Sequence, residues 1–265
     1  MRDSDNVNME KELKVSETSQ VPPSEGFREA YILHLADTTL ILAQRNSEWC
    51  AHGPILEQDI AITNISLDLL GQARNFYQHA ATLIGNTTTE DSLAYLRTER
   101  EFKNLLITEL PNGDWAQTIL RQFFFSVYQS LLYSRLLESK DQQVAAIAEK
   151  SLKEITYHIK WSSERVIRLG DGTAESNKRI NKAIEYLWMY TGEFFIAAPY
   201  EETDPSALKN AWFSKIEEVF GEAGLQVPGE TFMQQGGKTG NHTEHLGYIL
   251  AEMQSLQRTY PGAQW

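Results

Sequence analysis

Asp141-Gln-Gln-Val144-Ala-Ala-Ile147-Ala-Glu-Lys-Ser151-Leu152-Lys-Glu154-Ile155-Thr-Tyr157-His158-Ile159 decides the fold. Val144, Ile147, Ser151, Leu152, Ile155 and Ile159 recur at three- and four-residue steps, the period of a helix with one buried face. Asp141 opens that helix, and Gly170 and Gly172 stop it. Di-iron sites in four-helix bundles take a carboxylate from each of two helices and Glu-x-x-His from the other two. Hard iron favours oxygen ligands, and the i,i+3 step sets Glu and His side by side on the inward face. Here Glu154 is followed three residues later by Tyr157, and His158 arrives one residue too late. An earlier long helix offers Asp68, followed three residues later by Gly71. The pattern predicts the bundle and interrupts its ligand sets.

Working outward, the same period recurs along most of the chain. Ala30, Leu33, Ala36, Leu40 and Ala43 predict a first helix from Phe27 to Glu48–Cys50. Ile62, Ile65, Leu69, Ala73, Phe76 and Ala80 carry a second from Ile55 to Leu83, roughly 43 Å long at 1.5 Å per residue. A shorter helix is expected over Ser92–Leu105. The Pro111-Asn-Gly113 turn then precedes Asp114, an N-cap with Gln117 as a box-like partner, and a third long helix runs to Leu137. Beyond the opening stretch, helices are expected over Ser176–Ala198 and Pro205–Phe220. A glycine-rich loop over 221–240 and a terminal helix from about Thr243 complete the chain. No strand-like alternation or internal repeat is evident. The fold class is all-α: a helical bundle with additional C-terminal helices, forming one domain over 26–265 after a polar leader at 1–25 that reads as flexible.

Composition narrows the function. Thirty-six Asp and Glu against 24 Lys and Arg, a formal charge of -12, argue against a nucleic-acid groove or an anionic membrane surface. Cys50 is the only cysteine, which excludes an intrachain disulfide and a cysteine zinc site. Without a signal peptide or a long apolar run, cytoplasmic residence is the default expectation. Eleven Tyr, 11 Phe and 6 Trp, several on polar helices, suggest that part of the surface belongs to a partner.

Four local patterns invite chemistry. Asp68, Gln72, Asn75 and His79 form a polar edge on the second helix, read as a buried hydrogen-bonded network or a subunit-facing stripe. His242-Thr-Glu244-His245 is the densest histidine cluster; caps and interface hydrogen bonds explain it more simply than an ion. Gly236-Gly-Lys-Thr-Gly240 resembles the end of a phosphate loop. However, Phe232 stands where the first glycine belongs, and no strand precedes it. Trp49-Cys50-Ala-His52-Gly-Pro54 joins the first two helices, with a buried thiol expected and Arg45, Glu48 and Asp59 available to pair across the junction.

Ser47-Glu-Trp-Cys-Ala-His-Gly-Pro54, Leu67-Asp-Leu-Leu-Gly-Gln-Ala-Arg-Asn75, Pro111-Asn-Gly113, Gly236-Gly-Lys-Thr-Gly-Asn-His-Thr-Glu-His-Leu-Gly247 and Gln257-Arg258 together resemble the C subunits of bacterial multicomponent phenylacetyl-CoA epoxidases. The resemblance covers about Phe27 to Trp265. It implies a ferritin-like fold without metal ligands, hence no catalytic residue and no cofactor in this chain, with Asp68, Gly71, Glu154, Tyr157 and His158 as degenerate ligand slots. It further implies a diiron catalytic A subunit as partner, a bridging B subunit, and a reductase carrying FAD and an iron–sulfur cluster. Phe124, Tyr128, Trp161, Arg165 and Arg168 are the expected interface residues. Two other readings stay open: an independent oxidoreductase using Asp68, Glu154 and His158, and a thioester-binding module in which Lys238 meets coenzyme A phosphates.

Overall fold

Four long helices carry the architecture. A computed structural model describes residues 25–201 and 203–263. It places α1 at Glu25–Ser47, α2 at Leu56–Ile84, α5 at Trp115–Leu136 and α6 at Gln142–Asp171. Helix α1 packs along α2 and α5 along α6, and the two pairs meet where α2 crosses α6. Short α3 (Glu90–Tyr95) and α4 (Leu106–Glu109) lie in the crossover between α2 and α5. Helices α7 (Ala174–Leu187) and α8 (Lys209–Glu222) pack against α5 and α6, while α9 (Glu244–Met253) and α10 (Ser255–Thr259) close the chain. No strand occurs among the described residues. The expected leader lies, apart from Glu25, outside them.

Helix α5 is the centre of the packing. Phe123, Phe124, Phe125, Tyr128 and Leu132 are all buried, and so are the polar Arg121, Gln122 and Gln129, so the helix is enclosed on nearly every side. Phe124 meets Trp188, Trp212 and Phe220 at 5.5–6.1 Å between ring centroids, and Tyr128 stacks on Phe194 at 4.5 Å. Each such ring contributes about 2–3 kcal/mol through burial. This corrects three expected interface residues. Phe124, Tyr128 and Trp161 are inside the chain's own core, Trp161 packing edge-on to Trp115, and they offer no surface to a partner. Arg165 is half-buried beside Glu164, and only Arg168 is exposed.

Two helix assignments also change. The helix expected over Ser92–Leu105 ends at Tyr95, and residues 102–105 run extended after a single 3-10 turn at Glu99–Glu101. Buried side chains of α1 take the backbone donors a helix would use: Lys103 N–H donates to Asp37 Oδ2 and Leu105 N–H to Thr38 Oγ1. The helix expected over Ser176–Ala198 tightens at Trp188 into a 3-10 run ending at Phe195. There Gly192 lies so close to Met233 that a Cβ would sit 2.6 Å from its side chain. Caps follow the expected chemistry: Asp114 accepts from Gln117 N–H, and Asp141 from Gln143 and Val144 N–H. The Gln117 side chain, however, donates to Pro111 O instead of closing a box.

Candidate functional site

The helical phase of α6 is set by Ser151, Ile155, His158 and Ser162, all buried. That phase turns Tyr157 outward, where it is 47% exposed. On α2 the buried positions are Leu69, Gln72, Ala73 and Phe76, which leaves Gly71 exposed, with open space where a Cβ would stand. The reading of Tyr157 and Gly71 as inward slots is therefore corrected: the inward places on those turns belong to His158 and Gln72.

Amides occupy the bundle interior. Gln129 Nε2 on α5 donates to Gln72 Oε1 on α2 at 2.8 Å, and Gln72 Nε2 donates to Glu154 Oε2 on α6 at 2.8 Å. Gln129 and Gln72 are buried, so this chain runs from the interior outward to a half-buried carboxylate. One turn away, His158 Nε2 lies 3.0 Å from Asp68 Oδ2. At the far end of α2, His79 Nε2 and Arg28 Nη2 each approach Asp141 Oδ2 at 2.7 Å. Burial tends to raise the Asp141 carboxyl, but the hydrogen bonds from His79, Arg28 and Val144 N–H outweigh it and hold it below the usual range. The polar edge read on α2 is thus a set of separate cross-helix bonds. Among the described residues, no three His, Cys, Asp or Glu side chains are gathered to hold an ion. A two-iron centre does not fit this donor set, because neutral amides stand where carboxylates would have to offset the metal charge.

The second polar region is the glycine-rich loop. Its amides hold an anion supplied by the chain itself. Glu193 Oε1 accepts from Gly236 N–H at 2.8 Å and Gly237 N–H at 2.7 Å, while Oε2 accepts from Leu106 N–H at 2.7 Å. Gly236 has φ 142, and a Cβ on Gly237 would fall 2.2 Å from Asn104 O, so both glycines are required for the approach. Burial raises the Glu193 carboxyl, against the pull of its three N–H donors and of Lys238.

Lys238 turns away from the glycine amides. Its ammonium is buried and donates to Ile196 O at 2.8 Å and to both Glu201 oxygens at 3.0 Å. Burial lowers its pKa, and Glu201 partly restores it. The expectation that Lys238 meets coenzyme A phosphates is therefore corrected: all three donors are already taken inside the chain. Nearby, His242 Nδ1 lies 2.9 Å from Glu109 Oε2 and Nε2 lies 2.9 Å from Phe102 O. Glu109 also accepts from Thr243 N–H and Asn104 Nδ2. Two oxygen acceptors on one imidazole call for the doubly protonated ring. Burial opposes that charge, yet the Glu109 contact prevails and the His242 pKa is raised. Thr243 caps α9, Glu244 is exposed on its first turn and His245 is half-buried.

A third cluster was not singled out by the sequence. Arg97 pairs with Asp37 and stacks over Phe102 at 4.3 Å, and Tyr77 donates to Asp37 Oδ1 at 2.6 Å. The signal available was one acidic residue inside the apolar run Ile32-Leu-His-Leu-Ala-Asp37. At the Trp49–Pro54 junction Cys50 is exposed, against the expected buried thiol. Arg45 pairs with Glu48, and Asp59 accepts from Gly53 N–H.

A family model described as phenylacetic acid catabolic protein matches residues 16–265. The C subunit of 1,2-phenylacetyl-CoA epoxidase from Escherichia coli strain K12 is 50% identical over 244 residues, covering 89% of this chain and 98% of that protein. The ferritin-like helical fold of the family is the fold seen here. No helix among the described residues is long and apolar enough to cross a membrane. With the match running over nearly its whole length, this chain belongs to the phenylacetic acid catabolic protein family.

Proposed function

We infer that this chain is the non-catalytic structural subunit of a multicomponent phenylacetyl-CoA epoxidase in aerobic phenylacetate degradation. It pairs with and stabilises the diiron catalytic A subunit. The observation that carries the reading is the Gln129–Gln72–Glu154 ladder, in which amides join the helices of a ferritin-like bundle. The E. coli relative, itself one subunit of such an epoxidase, supports it, since one subunit implies others. In this reading the iron resides in the A subunit, a B subunit bridges larger assemblies, and a reductase with FAD and an iron–sulfur cluster delivers electrons, all in the cytoplasm.

The contribution of this chain is rigidity. The buried pair Asp37–Arg97 ties the crossover to α1, while Glu109–His242 and Glu201–Lys238 tie the C-terminal loop to the crossover and to the segment after Phe195, so the bundle presents one surface instead of an ensemble. A rigid neighbour holds a partner's active-site helices in place without touching substrate. The test is to produce the A subunit with and without this chain and compare soluble yield, melting temperature and epoxidation rate. All three are expected to fall without it. Full activity and unchanged thermal stability of the A subunit alone would contradict the proposal.

A further inference from the structure

We propose that the bundle interior between α1 and α5 binds one structural water molecule, held by Tyr128, Gln129 and Tyr133 of α5 against His34 of α1. The site goes beyond the structural-subunit reading and holds whether or not that reading does.

A small cavity lies between the two helices, lined from α1 by His34, Leu35 and Thr39 and from α5 by Tyr128, Gln129 and Tyr133. All six residues are buried. The space open to the centre of a water molecule is about 10 Å³, enough for one water and too little for an organic ligand. No acidic or basic side chain other than His34 lines it, so an inorganic ion has no countercharge there. The walls are not those of a dry hole. Tyr128 Oη, Gln129 Oε1 and Tyr133 Oη are buried, and none has a hydrogen-bond partner among the described residues. Apolar cavities stay dry, whereas a cavity offering two to four polar partners takes up water.

The protonation states match a water's two donors and two acceptors. Burial raises both phenols, so Tyr128 and Tyr133 keep their protons and donate. The amide orientation of Gln129 is fixed from the other end of the ladder. Glu154, as a carboxylate, only accepts, so Gln72 turns Nε2 toward it and Oε1 toward Gln129 Nε2. Gln129 Oε1 is therefore the acceptor left over. Burial, with the charge of Lys238, holds the His34 pKa at about 3, so the ring is neutral. Its Nδ1 lies 2.7 Å from Lys103 O and carries the proton, which makes Nε2 an acceptor. One water accepts the two phenol O–H groups and donates to Gln129 Oε1 and His34. The consequence is structural. The Gln129–Gln72–Glu154 ladder joins α5, α2 and α6, and the water adds α1 to it. A direct bond from Asn46 Nδ2 to Gln122 Oε1 at 2.6 Å ties α1 to α5 about two turns away, and the water makes the matching tie at the level of the ladder.

The test is a crystal structure of the full chain at a resolution that shows ordered waters, with a second crystal held under xenon pressure. One oxygen peak is expected within about 3.2 Å of at least two of Tyr128 Oη, Gln129 Oε1 and Tyr133 Oη, and no xenon in the cavity. No peak there, or xenon in its place, would overturn the proposal. So would a closed cavity in which Tyr133 Oη bonds Gln129 Oε1 directly. In solution, magnetic relaxation dispersion of water oxygen counts the waters that exchange slowly from the interior. The pair Tyr128→Phe with Tyr133→Phe should hold one fewer than the unmodified chain, and Tyr190→Phe, in a half-buried position elsewhere, should hold the same number. An unchanged count in the double variant would overturn the assignment. If that variant does not fold, the crystals of the unmodified chain decide alone.

Discussion

Replacing Glu193 by alanine tests whether the glycine-rich loop is held by an internal anion. The carboxylate accepts Gly236, Gly237 and Leu106 N–H groups at 2.7–2.8 Å, and the residue is buried. Alanine leaves those three donors without their acceptor. At roughly 1–2 kcal/mol for each unsatisfied buried donor, the loss is about 3–6 kcal/mol, at the lower end where water enters the space. A chain of this size loses about 2–4 °C for each kcal/mol, so the melting temperature should fall by about 6 °C at the least and by up to about 24 °C. Glutamine distinguishes volume from acceptor chemistry. Its single oxygen can serve Gly236 and Gly237, but its amide then points a donor at Leu106 N–H, so its cost should lie between those of wild type and alanine. Urea unfolding provides the assay, with a lower midpoint at constant slope marking a change in stability alone. A shift below about 0.5 kcal/mol for alanine would refute the internal-anion account, since that is the scale of an ordinary surface substitution.

Other consequences follow from the buried charges. His242, raised by Glu109, should stabilise the chain fully below the unfolded histidine value of 6.5 and lose that contribution as pH rises through its folded pKa. The gap in urea midpoint between wild type and His242→Gln should therefore narrow as pH climbs from neutral into the alkaline range. Asp141, whose carboxyl is held low, contributes above its unfolded value of 3.8 and loses the contribution as pH falls through the folded pKa. Asp141→Ala should cost about 2 kcal/mol at neutral pH, combining a lost N-cap with an abandoned His79 and Arg28, and less in acid. Lys238→Ala leaves Glu201 buried without its cation and should cost about 3–5 kcal/mol, whereas the double change Lys238→Met with Glu201→Leu should recover most of it in thermal melts.

The long helices were legible because their buried faces follow a simple period: α2 and α6 begin and end within a residue or two of the pattern's limits. What periodicity could not show was the competition for backbone donors. Residues 102–105 carry helix-compatible side chains, yet Asp37, Thr38 and Glu193 take amides there and at Leu106 from across the fold. Facing was equally hidden. The i,i+3 spacing from Glu154 and Asp68 sets Tyr157 and Gly71 inside, but which face points inward depends on the packing of neighbouring helices, and both lie outside. Phe124 and Tyr128 are expected at an interface, and the packing of α7 and α8 around α5 makes them core. Lys238 beside two glycines suggested a phosphate. The glycines instead hold Glu193, while the lysine faces Glu201.

Iron content is the deciding quantity, measured by mass spectrometry on this chain and on its complex with the A subunit after expression in iron-rich medium and chelator-free purification. A structural role predicts essentially no iron in the isolated chain, with iron in the complex following the A subunit. Stoichiometric iron retained by the isolated chain, and lost on Glu154→Ala or His158→Ala, would contradict it.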